Sequence, residues 1–175
     1  MFNIFKKKKN TDKPDKTERV MRFGKYHDLG MACFNASDMK IAYGRFGMRI
    51  FSRENNDGKR HLAGPKPEGY EPNADMLGFE VFRDVLKVRW HDYNDNELSY
   101  EIDLDALFPD KIIPHNKEDE DLIYWDEPYR GDPEIIVEVD DRTLRVYSCI
   151  TVRVVYPDDR LVHRRDCTQL LEKSF

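Results

Sequence analysis

Leu144-Arg-Val-Tyr-Ser-Cys-Ile-Thr-Val-Arg-Val154 decides the fold class. Leu144, Val146, Ser148, Ile150, Val152 and Val154 fall on one side of an extended chain, and Arg145, Tyr147, Cys149, Thr151 and Arg153 on the other. That is the period-two alternation of a strand with one buried face. Glu134 to Val139 precedes it across the turn-forming Asp140-Asp141-Arg142, and Pro157-Asp-Asp-Arg160 follows it. Three consecutive strands therefore form a meander.

Upstream, Leu86, Val88 and Trp90 alternate with Lys87, Arg89 and His91. Beyond the polar Tyr93 to Glu97, Leu98, Tyr100, Ile102 and Leu104 alternate with Ser99, Glu101 and Asp103, which predicts a hairpin. Met39 to Phe51 reads as strand with bulges at Gly44 and Gly47, Asn55-Asn-Asp-Gly58 as a turn, and Leu77 to Phe82 as a shorter strand. Prolines and glycines make Gly64 to Pro72 a surface loop, and Pro109 to Pro133 is a second irregular stretch. Helical patterning is confined to one turn at Asp103 to Phe108 and a short closing helix at Asp166 to Lys173. The fold class is mainly β, a β-rich α+β protein, with an antiparallel sheet or sandwich of hairpins and a meander.

A chain of 175 residues accommodates one such domain. Residues 1–22 hold eight Lys or Arg against three Asp or Glu and almost no apolar content after Phe5, which predicts a basic, disordered tail ahead of a domain at 23–175. The apolar residues come before the lysines, the reverse of a signal peptide's order. Phe2, Ile4 and Phe5 with Lys6 to Lys9 could touch an anionic membrane surface, but stable anchoring takes more apolar area. Uncharged, apolar-rich runs such as Val146 to Val152 are far below the roughly 20 residues needed to span a bilayer. Three widely spaced cysteines, Cys33, Cys149 and Cys167, read as reduced thiols in a cytoplasmic protein.

Charge narrows the partners. Glu101 to Asp141 carries fifteen acidic residues against Lys111, Lys117 and Arg130, a field that repels nucleic acid and attracts basic surfaces. No catalytic, metal or cofactor motif stands out. Asp92, Asn94 and Asn96 match the start of a calcium loop, but Glu97 stands where glycine is needed, so a polar hairpin turn accounts for them. Glu101, Asp103 and Asp105 share a strand face and are the carboxylates an enzyme of unfamiliar type would use; a solvent face accounts for them as well. His27, His61, His91, His115 and His163 read as scattered surface residues without metal-ligand spacing. Cys167 with His163 is the one near Cys-His pair, which says little about geometry.

The segment 117–129, Lys-Glu-Asp-Glu-Asp-Leu-Ile-Tyr-Trp-Asp-Glu-Pro-Tyr, joins a dense negative run to three aromatics between prolines. Aromatics supply anchoring area and carboxylates supply steering, the composition of a site for a basic protein. Trp125, Tyr124 and Tyr129 are the candidate anchors; Glu118, Asp119, Asp126 and Glu127 are the steering charges. The alternative is that Leu122, Ile123 and Trp125 fasten the loop to the core.

Leu86-Lys-Val-Arg-Trp90-His-Asp-Tyr, Leu98-Ser-Tyr100-Glu-Ile-Asp-Leu104, Pro133-Glu-Ile-Ile-Val-Glu-Val139 and Leu144-Arg-Val-Tyr147 together resemble small β-rich bacterial immunity proteins that accompany antibacterial effectors of type VI secretion systems. The resemblance spans residues 77–155 and rests on strand patterning with a Trp and a Tyr. It implies a non-enzymatic antitoxin that binds and neutralises a cognate toxin, while the acidic charge argues against a nucleic-acid partner and the short apolar runs against stable membrane insertion. Many members of that group begin with an export or lipoprotein signal; this chain starts with lysines, which implies a toxin acting in the cytoplasm. A membrane-associated adaptor held by the basic N-terminus is the other alternative.

Overall fold

A computed structural model describes residues 19–50, 61–82, 84–117 and 120–175. The strands are β1 (Tyr26–Phe34), β2 (Ser37–Tyr43), β3 (Phe46–Ile50), β4 (Met76–Glu80), β5 (Leu86–His91), β6 (Glu97–Ile102), β7 (Tyr129–Asp140), β8 (Thr143–Val155) and β9 (Leu161–Ser174). One helical turn, α1 (Leu104–Leu107), follows β6, capped by the Asp103 carboxylate on the Ala106 amide. The fold is β-rich, as its patterning indicates. One sheet has the order β4-β1-β7-β8-β9 and the other β3-β2-β5-β6.

The alternation along β8 is realised side by side with its neighbours. Leu144, Val146, Ile150 and Val152 face the core together with Ile135, Val137 and Val139 of β7, while Ile41, Val88 and Trp90 enter the same core from the second sheet. The Trp90 indole NH donates to the Asp141 carbonyl at 2.7 Å, and its ring meets Phe175 edge-on, so the β7–β8 turn and the C-terminal residue are tied to β5. On the other side of the five-stranded sheet, the irregular residues 64–75 lie as a cover. Glu138, fully buried, accepts from Lys66 at 2.8 Å and Arg145 at 3.0 Å, and Glu134 binds both Arg165 and the Ala74 amide. A buried carboxylate persists because its hydrogen bonds replace the lost water.

Several expectations are corrected. Residues 166–173, read as a helix, form the second half of β9 and pair with β8 nearly end to end; an eight-residue helix is marginal by itself, whereas the open edge of β8 offers a full ladder. Gly44 is the left-handed residue (φ 59) of the two-residue turn joining β2 and β3, and Gly47 sits in unbroken register opposite Ala42, so neither is a bulge. Residues Tyr129 to Pro133 lie within β7, not in the irregular stretch. β1 pairs with β7 in parallel inside an otherwise antiparallel arrangement. The ordered domain includes residues 19–22, assigned from sequence to the tail: Met21 is 1% exposed, and Arg22 bridges Ile112. The rest of that tail and the Asn55 to Gly58 turn lie outside the described residues. Among the described residues no helix is long and apolar enough to cross a membrane.

Candidate functional site

Residues 120–129 follow the end of β8 and are held at almost every step. Ile123, 6% exposed, forms a bridge with Val154, the Tyr124 amide donates to the Arg153 carbonyl, and the Arg153 amide donates to the Pro128 carbonyl. The Trp125 indole NH donates to the Glu120 carbonyl at 3.1 Å, closing the loop on itself. Its ring packs on the core, with the Arg19 guanidinium 5.9 Å from the ring centre and the His115 ring edge-on at 6.0 Å. Arg19 is itself buried and reaches the exposed Asp121 at 2.8 Å. The Tyr129 hydroxyl donates to the Arg22 carbonyl at 2.9 Å, and burial, with Asp132 adding to it, raises its pKa.

Trp125 and Tyr129 are thus fastened to the domain, the outcome that long-loop aromatics usually have. Tyr124 is 41% exposed, and Asp126 and Glu127 face solvent beside it in sequence, Glu127 pairing with Arg153. Glu118 and Asp119 lie outside the described residues. The contacts of Arg19, Met21, Arg22 and Phe23 bring two further segments to the same side of the domain: residues 19–23, and residues 110–113 through Phe23 to Lys111 and Ile113 to Met21. These contribute Val20 and Ile112, 40% and 37% exposed, and the solvent-facing Asp110. Sequence reasoning missed both apolar residues. Nothing in their local pattern marks them, because their exposure follows from the bridge between two chain-distant segments.

The other candidates are dispersed. The Asp92 carboxylate accepts from the amides of Asn94 and Asn96, from the Asn96 side chain and from Arg142; these bonds overcome its burial and hold its pKa below the usual value. It organises a hairpin turn and not a cation site. Glu101 pairs with Lys87 at 2.9 Å, Asp103 caps α1 and Asp105 lies in the first helical turn, so the three carboxylates do not converge. His27 and His91 are buried, contrary to a scattered surface set. Cys149 and Cys167 are disulfide-bonded across β8 and β9, which removes Cys167 as a nucleophile and corrects the reading of three reduced thiols. Cys33 is a free, buried thiol, pushed up to about 12 by burial and by Asp140. No group of residues able to hold a metal ion occurs among the described residues.

Comparison with protein-family models, with curated proteins and with solved structures returns no match.

Proposed function

We propose that this protein is a non-enzymatic binding module, an immunity protein that neutralises a cognate antibacterial toxin through the acidic surface around residues 120–129. The observation that carries the reading is the combination of a fixed loop with exposed Tyr124, Asp126 and Glu127, flanked by Val20 and Ile112. A rigid surface loses little conformational entropy on binding, an exposed tyrosine supplies anchoring area, and carboxylates speed the approach of a basic partner. Trp125 and Tyr129 serve this surface by holding it in place. The β-strand patterning that resembles type VI immunity proteins supplies the toxin as the partner's class.

The test is affinity capture of the tagged full chain from its native cells at moderate salt. A stoichiometric basic effector, toxic when expressed alone and harmless with this protein, supports the reading; an empty eluate, also with the neighbouring open reading frame co-expressed, refutes it. Cytoplasmic action belongs to the same proposal and has its own check in the disulfide, because that compartment keeps most thiols reduced. Alkylation on denaturing lysis, which opens the buried Cys149, is expected to label Cys149 and Cys167, the bond seen in the structure forming only once the protein meets an oxidant. A bonded, unlabelled pair would place the protein in an oxidising compartment.

A further inference from the structure

The outer face of the four-stranded sheet carries a second feature, independent of the acidic loop. Alternation sends Ile41 and Val88 to the core and leaves Lys40, Ala42, Lys87 and Arg89 on the opposite side of β2 and β5. Lys40 stands directly opposite Arg49 of β3 and opposite Arg89 of β5, so three cations lie abreast on adjacent strands, about 5 Å per step. In the next row Gly47, Ala42 and Lys87 are neighbours. The small residues at Gly47 and Ala42 leave a hollow of about 580 Å³, bounded by the four basic side chains and, on the β6 side, by Glu97 and Glu101, and within the usual size of small-molecule sites.

Sheet stability does not account for the cationic row, since like charges directly opposite one another weaken an antiparallel pair, and here two successive pairs are of that kind. The nearby acids offset it incompletely. Lys40, at 3.1 Å, and Arg49 share the single carboxylate of Asp38, whose side chain is 4% exposed. Glu101 is taken by Lys87, and Glu97 approaches Arg89 only to 3.8 Å. Arg49 engages Asp38 through Nε, and Arg89 donates no hydrogen bond to a described residue, so guanidinium edges on both sides of Lys40 remain available for a forked contact.

We infer that this trough binds the phosphate or carboxylate group of a small anionic ligand, held by the guanidinium groups of Arg49 and Arg89 with the Lys40 ammonium between them. The basic row on a chain of net charge −5 makes the site local, so a generally cationic surface does not explain such binding.

The test is a titration of the full chain with pyrophosphate and, in a second arm, with citrate, at constant ionic strength, followed by two-dimensional amide NMR. Saturable shifts confined to β2, β3 and β5, with a midpoint on the order of 1 mM or below, are expected from one of the two. Pyrophosphate as the better ligand assigns the site to a phosphate group, and citrate to a carboxylate. Arg49→Gln/Arg89→Gln is expected to weaken binding by about tenfold or more. Ala42→Glu, at an exposed position outside the ion pairs, is expected to abolish it while leaving the remaining amide spectrum folded. Absent saturation with both anions, shifts scattered over the surface, or equal binding by Ala42→Glu would overturn the proposal.

Discussion

His27 shows what a single side chain can conceal in a sequence. It is fully buried, with Nδ1 3.0 Å from the Asp28 carbonyl and Nε2 3.4 Å from the Tyr43 hydroxyl, among the rings of Phe23, Phe79 and Phe82. Desolvation, only partly opposed by the Asp28 carbonyl, holds its pKa below the ordinary 6.5. The unfolded chain therefore takes up a proton near 6.5 that the folded protein resists, and stability falls as pH drops through that value, by at most about 1.4 kcal/mol per pH unit from this one group. Thermal midpoints from pH 7.5 to 5.5 are expected to decline for the wild type and to decline less for His27→Phe. Parallel curves would show that His27 is not the responsible group. No sequence pattern flags this residue, because a lone histidine looks the same on a surface as in an aromatic cluster. Asp92 is the converse: its spacing with Asn94 and Asn96 was legible as turn chemistry, and the structure spends its carboxylate on those residues.

Strands differ in how openly they announce themselves. β8 was readable because one of its faces is apolar and the other is polar, and the β5–β6 hairpin for the same reason. β1 went unread since it lies between β4 and β7 with both faces covered, Gly30 being so close to the Asn73 backbone that a Cβ there would meet the Asn73 oxygen at 2.3 Å. A strand buried on both sides has no alternation to find. β9 was legible as the third strand of the meander, but its second half reads as helix for a different cause. On the face it shares with Val152 and Ile150 it carries Arg164 and Asp166, half-buried charges that break the apolar alternation and also discourage further pairing at this edge. The register sets Cys149 opposite Cys167, a pairing that the spacing of 18 residues does not disclose. Closing a loop of that length contributes about 3 kcal/mol. Reductant is expected to lower the urea midpoint of the wild type and to leave that of Cys149→Ala/Cys167→Ala unchanged. A wild-type midpoint that does not move once both thiols are titratable would show that the ladder alone holds β9.

At the scale of the whole molecule, the two charged features separate. Asp110, Asp121, Asp126 and Glu127 lie on segments around the end of β8, whereas the basic row spans the outer face of the other sheet. The acidic, aromatic composition of the loop was visible in the sequence; which aromatics remain outward was not, because that depends on Arg19, His115 and Val154 arriving from elsewhere in the chain. In the proposed function, Tyr124 and Asp126 form the contact while Trp125 supports it. The most direct measurement of that assignment compares capture from native cells by the wild-type chain and by Tyr124→Ala/Asp126→Lys, with the thermal midpoint of each recorded. We predict one stoichiometric basic partner for the wild type, lost or reduced about tenfold or more by the double variant at an unchanged midpoint, since both side chains are solvent-exposed. Equal retention of that partner by the variant, or no partner for the wild type, would contradict the account.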